Sequence, residues 1–424
     1  MSDYRDLLRR ERERFTMPDG SLEALERRRD RRRRNRQMVA GVLALLIAAA
    51  GVGGGLYAFR SASGPKPIVG NEPSPTPTPT ATPTPTPTPG GGQAGPSAVS
   101  GPIQFLDDQR GWMVDADGQI LATADGGHTW NVQLSGPSDI KAIDILDGQY
   151  GWGVGEGGLI RTTDGGATWV TWSNQALSTM QFITPNNGWG VEAAPGHPEG
   201  LGSLMKTEDG GQTWTPQGPE VNSVCFTGES LGWAAGPHEA GAALFRTEDA
   251  GANWTEIPIP MPGGDYTGWT ATVRCGGDAA WVLVTDGGGA GHIAYAVLRM
   301  SGDGSKVEPV LQDSYTHPLG QGQDIPAASN PYPGPLAVAG AHIARFITWC
   351  PACGGDMPFV SLERTEDGGA TWTDPTIVDS NHPGEPLGIS FLDPDQGWVL
   401  LRDPQTKSMV VLRTSDGGQS WEQP

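Results

Sequence analysis

Carboxylates placed at fixed intervals are the first residues in this chain that could do chemistry. Asp125, Asp164, Asp209, Asp249, Asp367 and Asp416 each sit in one phrase, T-x-D-G-G-x-T-W or a close variant. Each phrase ends in a tryptophan: Trp130, Trp169, Trp214, Trp254, Trp372 and Trp421. A carboxylate can ligate a cation or carry a proton, but such work needs several groups converging on one point. Copies at intervals of 39, 45, 40, 118 and 49 residues instead mark equivalent places in a repeat. The longest gap holds a worn copy, VLRMSGDG, with Asp303 in the aspartate slot. The repeat therefore has seven units.

Other chemistries find little support. A glycosidase needs two positioned carboxylates, and the sequence pairs none. No Gly-x-Ser-x-Gly, HExxH or P-loop occurs. The seven histidines, from His128 to His382, lack metal-ligand spacing, so no metal or cofactor site is read. Arg161, Arg246, Arg299, Arg364 and Arg413 recur at one position before the phrase, which argues for structure. The cysteines, an even set of four, are Cys225, Cys275, Cys350 and Cys353. Their number suits disulfides in an oxidising compartment. Cys225 and Cys275 fall at the ends of equivalent strands in adjacent units, two positions apart in register. Cys350-Pro-Ala-Cys353 reads as a local disulfide, since the helix start of a redox CxxC is missing.

The elements that hold these residues are short strands. In the second unit KAIDIL, YGWGVG, GLIRTT and TWVTW read as four strands, A to D, with Asp-Gly-Gly at the C–D turn. A second phrase, an apolar run ending in Gly-Trp, recurs at Trp112, Trp152, Trp189, Trp233 and Trp398, with weaker versions at Trp281 and near Trp349. Four-stranded units in radial repetition are propeller blades. The expected fold is all-β: a seven-bladed β-propeller over residues 98–424. Each Asp should hold a turn, and each Trp should pack between sheets.

T-x-D-G-G-x-T-W resembles the Asp-box, or bacterial neuraminidase repeat. Paired with F-L-D-x-x-x-G-W, it is most similar to the propellers of photosystem II assembly factors and their non-photosynthetic relatives. Sialidases, sortilin-type receptors and xyloglucanases also carry Asp-boxes. The resemblance implies a fold more than an activity. It also implies a basic patch on the propeller, from which this acidic chain departs, and the FRIP-like phrase of sialidases is absent.

Three segments precede the propeller. Residues 1–37 carry 13 Arg, no Lys and 8 acidic residues. Residues 38–59, MVAGVLALLIAAAGVGGGLYAF, are uncharged and long enough to span a bilayer as a helix. The arginines before them place the N-terminus in the cytoplasm and the propeller outside the plasma membrane. A signal peptide cleaved near Ala48-Ala49-Ala50 is the alternative, with an unusually long leader. Residues 60–97 are a Pro/Thr-rich linker with PPII stiffness. The formal charge of −20 is carried by the acidic part beyond the tail, which argues against nucleic acid as a partner.

Length variation points to a face. The A–B spacing is constant, seven residues from Phe105 to Trp112 and from Phe391 to Trp398. B–C insertions occur at 192–202, 236–242, 286–292 and 350–358. D–A insertions occur at 257–270, 311–336 and 374–387. These connections emerge opposite the Asp-boxes, and loops on a rigid scaffold carry binding residues. The largest offers Asp313, Tyr315, His317, Asp324 and Tyr332. The reading favours a non-catalytic binding or assembly scaffold for an extracytoplasmic protein or glycan. The alternative is a glycoside hydrolase, sialidase- or xyloglucanase-like, acting on surface glycans.

Overall fold

A computed structural model describes residues 101–424, apart from 136–138, 193–200, 239–240, 260–268, 287–292, 302–303, 314–324, 352–359, 380–383 and 404–405. The tail 1–37, the span 38–59, the linker 60–97, Asp303, Tyr315, His317, Asp324 and Cys353 lie outside the described residues.

Seven antiparallel sheets follow one another along the chain. The first is β1 (Ile103–Phe105), β2 (Gly111–Val114), β3 (Ile120–Thr123) and β4 (Asn131–Leu134). The second is β5 (Ile140–Ile145), β6 (Gly151–Gly155), β7 (Gly158–Thr162) and β8 (Val170–Ser173). The third is β9 (Leu177–Phe182), β10 (Gly188–Glu192), β11 (Gly202–Thr207) and β12 (Thr215–Val221). The fourth is β13 (Ser223–Phe226), β14 (Gly232–His238), β15 (Gly241–Thr247) and β16 (Thr255–Pro258).

The fifth blade has an extra strand. β17 (Thr270–Gly276), β18 (Ala279–Thr285), β19 (Tyr295–Met300) and β20 (Val307–Asp313) are joined by β21 (Ala327–Ala328), which runs parallel to β20. The sixth is β22 (Tyr332–Val338), β23 (Ala344–Trp349), β24 (Val360–Thr365) and β25 (Thr376–Asp379). Among the described residues the seventh has three strands, β26 (Glu385–Phe391), β27 (Gly397–Arg402) and β28 (Met409–Thr414). Beyond β28 these residues add a bridge between Arg413 and Glu422. The ring closes between the last blade and the first. Phe105 stacks on Trp398 at 3.8 Å between centroids, and the Phe105 N–H donates to Ser390 Oγ at 3.0 Å.

The Gly-Trp phrase has a packing cause. A Cβ on Gly111 would meet the Phe105 ring at 2.5 Å, and one on Gly397 would meet Phe391 at 2.6 Å. The ring of each strand-A phenylalanine lies flat over that glycine. Its other contacts come from tryptophans of two blades. Trp152 stacks on Phe182 of the next blade at 3.6 Å, and Trp214 meets the edge of the same ring at 5.9 Å. Trp189, Phe226 and Trp254 repeat the arrangement. So do Trp398, Phe105 and Trp130. A strand-C cation covers the outer face of the stack, as Arg161 does over Trp152 at 5.3 Å and Arg413 over Trp398 at 5.4 Å. Each aromatic pair adds about 0.5–1.5 kcal/mol beyond its area.

Three sequence expectations change here. The tryptophan slot of the sixth blade is not near Trp349. Register pairs Arg345 with Arg364, as Trp152 pairs with Arg161, so Arg345 fills the slot. Trp349 lies at the far end of β23, opposite Tyr332. The A–B spacing also shortens in the fifth blade, where Gly277 (φ +62°) and Asp278 close a two-residue turn between β17 and β18. Cys275 there stands opposite Ala280, whereas Cys225 stands opposite Trp233. The two cysteines are thus one register position apart, and not two.

Candidate binding face

The two faces of the ring differ in how their polar groups are used. In the first Asp turn, Thr123 Oγ1 donates to Asp125 Oδ1 at 2.7 Å. The Thr129 N–H donates to the same oxygen at 2.9 Å, and Thr129 Oγ1 donates to Oδ2 at 2.6 Å. The hydroxyl of Thr129, its N–H and the Thr123 hydroxyl hold the Asp125 carboxyl down to about 2. The same bonds recur around Asp164, Asp209, Asp249, Asp367 and Asp416. Glycine follows five of the six aspartates because the backbone turns left-handed, with φ +76° at Gly126. The fourth blade alone of the six puts another residue there, Ala250 at φ +57°.

Each of these turns also grips its neighbour. Gly126 N donates to Gln109 O at 2.8 Å, Gly165 N to Gln149 O at 2.9 Å and Gly417 N to Asp395 O at 2.8 Å. A–B and C–D turns therefore share one face and bond to each other. Trp152 Nε1 reaches Gly210 O of the next blade at 2.9 Å, and Arg161 Nη2 reaches Pro185 O at 3.0 Å. The carboxylates here are consumed by the scaffold.

A second set of polar residues, missed by the sequence reading, joins the inner strands. Gln104 Nε2 donates to Ile145 O, and Ile145 N donates back to Gln104 Oε1, both at 2.8 Å. Gln181 does the same to Phe226, at 3.0 and 2.6 Å. Asp144 Oδ2 accepts from Phe182 N at 2.5 Å. Ser390 and Phe105 make the equivalent contact at the seam. Between the fourth and fifth blades the same slot holds the Cys225–Cys275 disulfide, with Cα atoms 5.9 Å apart. The signal was a polar residue just before the strand-A aromatic, in a run otherwise apolar. Burial pushes the Asp144 carboxyl up to about 8, opposed only by the Phe182 N–H.

The opposite face carries the B–C and D–A connections. The insertion at 236–242 is a continuation of β14 and β15, paired out to His238 and Gly241. Within the largest insertion, Asp313 is fully buried at the end of β20, where it pairs with Ala328. It is therefore no surface carboxylate, contrary to the sequence expectation. Tyr332 opens β22, half-buried, with its ring 5.6 Å from Trp349. Cys350 is buried and disulfide-bonded.

The return leg of that insertion is pinned from below. Glu363 Oε1 accepts from Ser329 N at 2.8 Å and from Ser329 Oγ at 2.6 Å. Tyr295 Oη donates to Asn330 O at 2.5 Å, and Asn330 Nδ2 reaches Ser361 Oγ at 3.2 Å. Burial raises the Glu363 carboxyl, and its Ser329 and Thr348 donors offset part of the rise. Among the described residues no cluster of His, Cys, Asp and Glu has the form of a metal site.

Seven sheets in a closed ring, with bonded turns on one face and variable connections on the other, define a seven-bladed β-propeller. Residues 97–179 match the family model described as Photosynthesis system II assembly factor YCF48. Over 83 residues the chain is 37% identical to the Photosystem II assembly lipoprotein Ycf48 of Synechococcus sp. (strain CC9902), covering 18% of this chain and 24% of that protein. The match thus spans about a quarter of the relative's length. Among solved structures, the GH74 enzyme of Niastella koreensis superposes with a TM-score of 0.51 at 14% identity, over 78% of this chain and 55% of that one. A structure described as YCF48 bound to D1 peptide gives 0.48 at 19% identity, over 75% and 94%. The enzyme likeness is one of fold.

Proposed function

We propose that this protein is a membrane-anchored, extracytoplasmic assembly scaffold that binds a protein partner through its B–C/D–A face and catalyses no reaction. The observation that carries the reading is the match of residues 97–179 to an assembly-factor family. The geometry supports the choice of face. Turn-face carboxylates are locked into their own loops, whereas the other face holds the connections of variable length. Anchoring rests on the uncharged stretch 38–59 behind an arginine run.

The test is co-purification of the full-length protein from its native membrane, with crosslinking and mass spectrometry. A defined partner complex should form, and it should be lost when residues 314–324 are replaced by a short Gly-Ser linker. Turnover of xyloglucan or sialoside substrates, lost on mutating a pair of loop carboxylates, would overturn the scaffold reading.

A further inference from the structure

Arg274 breaks the pattern of the inner strands. It stands opposite Trp281, the register position that Gln104 holds opposite Trp112 and Gln181 opposite Trp189. Both glutamines use that position to bond the inner strand of the next blade. Arg274 makes no such bond. Among the described residues its one hydrogen bond runs from Nη1 to its own neighbour, Val273 O, at 3.0 Å. A guanidinium carries five N–H donors, so four remain. Other cations of the propeller have partners. Arg161, Arg299 and Arg413 lie over aromatic rings, and Lys141, Arg246 and Arg402 pair with carboxylates. Burial alone acts on Arg274 and pulls its guanidinium down to about 10, with no carboxylate to oppose it. The group therefore stays charged at neutral pH, in surroundings that disfavour the charge.

The guanidinium lies on the inner side of the ring. Along an antiparallel strand, the N–H and C=O of one residue point to the same side. Val273 N donates to Ser223 Oγ, on the inner strand of the fourth blade, at 2.8 Å. Val273 O therefore also points away from β18. β17 is the first strand of its sheet, so that side is the ring interior. The bond to Val273 O holds the guanidinium there. Side chains alternate along a strand. Val273 and Cys275 pack toward the fourth blade, which leaves Thr272 and Arg274 on the face toward the sixth. The Thr272 hydroxyl has no hydrogen bond among the described residues. Nearer the Asp turns the two inner strands meet, since a Cβ on Gly276 would lie 2.7 Å from Val338 Cγ1. The gap beside Arg274 is closed at that end.

We propose that Arg274 and Thr272 form an anion site inside the ring, and that its ligand is a small monovalent carboxylate. A carboxylate matches the guanidinium fork with two parallel N–H···O bonds, and Thr272 supplies a further donor. A single positive charge answers a single negative one. The chain's net charge of −20 repels a second, which disfavours phosphate and sulfate dianions. A spherical halide cannot use the fork. The site needs no protein partner, so it stands apart from the scaffold reading.

Calorimetric titration of the full-length protein in detergent with sodium acetate, at ionic strength held constant with chloride, tests this. Acetate should saturate one site per chain. Arg274→Gln should weaken binding at least about 10-fold. Thr272→Val should weaken it by less, and Arg274→Lys should lose the preference for acetate over chloride. N-acetylglycine and its amide separate two sources of the carboxylate. If N-acetylglycine binds and the amide does not, the site takes the end of a peptide as well as a free acid; if acetate alone binds, it takes free small acids. Without acetate, Arg274→Gln should melt no lower than the wild type, because it removes an uncompensated charge. A lower midpoint would assign Arg274 to the scaffold and overturn the site. So would the absence of saturable binding to the wild type, or equal acetate affinity in Arg274→Gln.

Discussion

Arg345 lies with its guanidinium carbon 5.7 Å from the centroid of Phe391, where other blades stack a tryptophan on the same ring position. It is fully buried. It also donates to Thr365 O at 3.2 Å and Pro394 O at 2.8 Å, and it pairs with Glu366. One side chain thus does the work of a tryptophan and of the strand-C arginine together.

That dual use makes Arg345 hard to replace. Arg345→Lys keeps the charge but loses the planar fork and leaves carbonyls unpaired. We expect a loss of about 2–4 kcal/mol, read from denaturant unfolding. A loss below about 1 kcal/mol would show that the slot tolerates any cation.

Asp144 should make stability depend on pH. Its folded value of about 8 lies above its ordinary 3.8, so the native state holds a proton that the unfolded chain releases. Stability should fall as pH rises from about 4 to about 8 and then level off. Asp144→Asn removes the titrating group and keeps an amide oxygen that can accept from Phe182 N. The variant should lose this slope and exceed the wild type above pH 8 by on the order of a few kcal/mol. Matching thermal midpoints across that range would refute the assignment.

The disulfide should count as an inter-blade tie. Cys225 and Cys275 lie 50 positions apart in the sequence. Replacing both with serine should cost about 2–4 kcal/mol and raise the denaturant m-value. An unchanged midpoint would mean that the remaining packing suffices.

Ala250 sits where five sister turns place glycine, at φ +57°. Ala250→Gly relieves a left-handed strain and should stabilise by up to about 1 kcal/mol, despite the entropy gained by the unfolded chain. A lower melting temperature for the variant would contradict this.

The repeat was legible because its two phrases are local. Asp125 and Thr129 bond each other within one turn, so their spacing survives in the sequence. The stack of Trp152 on Phe182 was half legible, since both residues recur but their pairing crosses blades. Arg345 was hidden because function moved from one residue type to another at the same slot. Asp313 was misplaced because its fate depends on β21, a two-residue strand too short to leave a pattern. The Glu363 contact with Ser329 spans 34 positions and has no counterpart among the described residues of other units, so no repeat could reveal it.

The extra strand β21 of the fifth blade, and the short Arg413–Glu422 bridge that ends the seventh among the described residues, carry a consequence for docking. A ring of seven near-identical sectors offers an incoming partner seven nearly equal orientations. The resulting ambiguity is worth about 1 kcal/mol of free energy, and six of the seven poses would be wrong. Thickening one sector and thinning another gives the dial a mark. A partner that reads the rim can tell the fifth sector from the seventh and settle in one orientation.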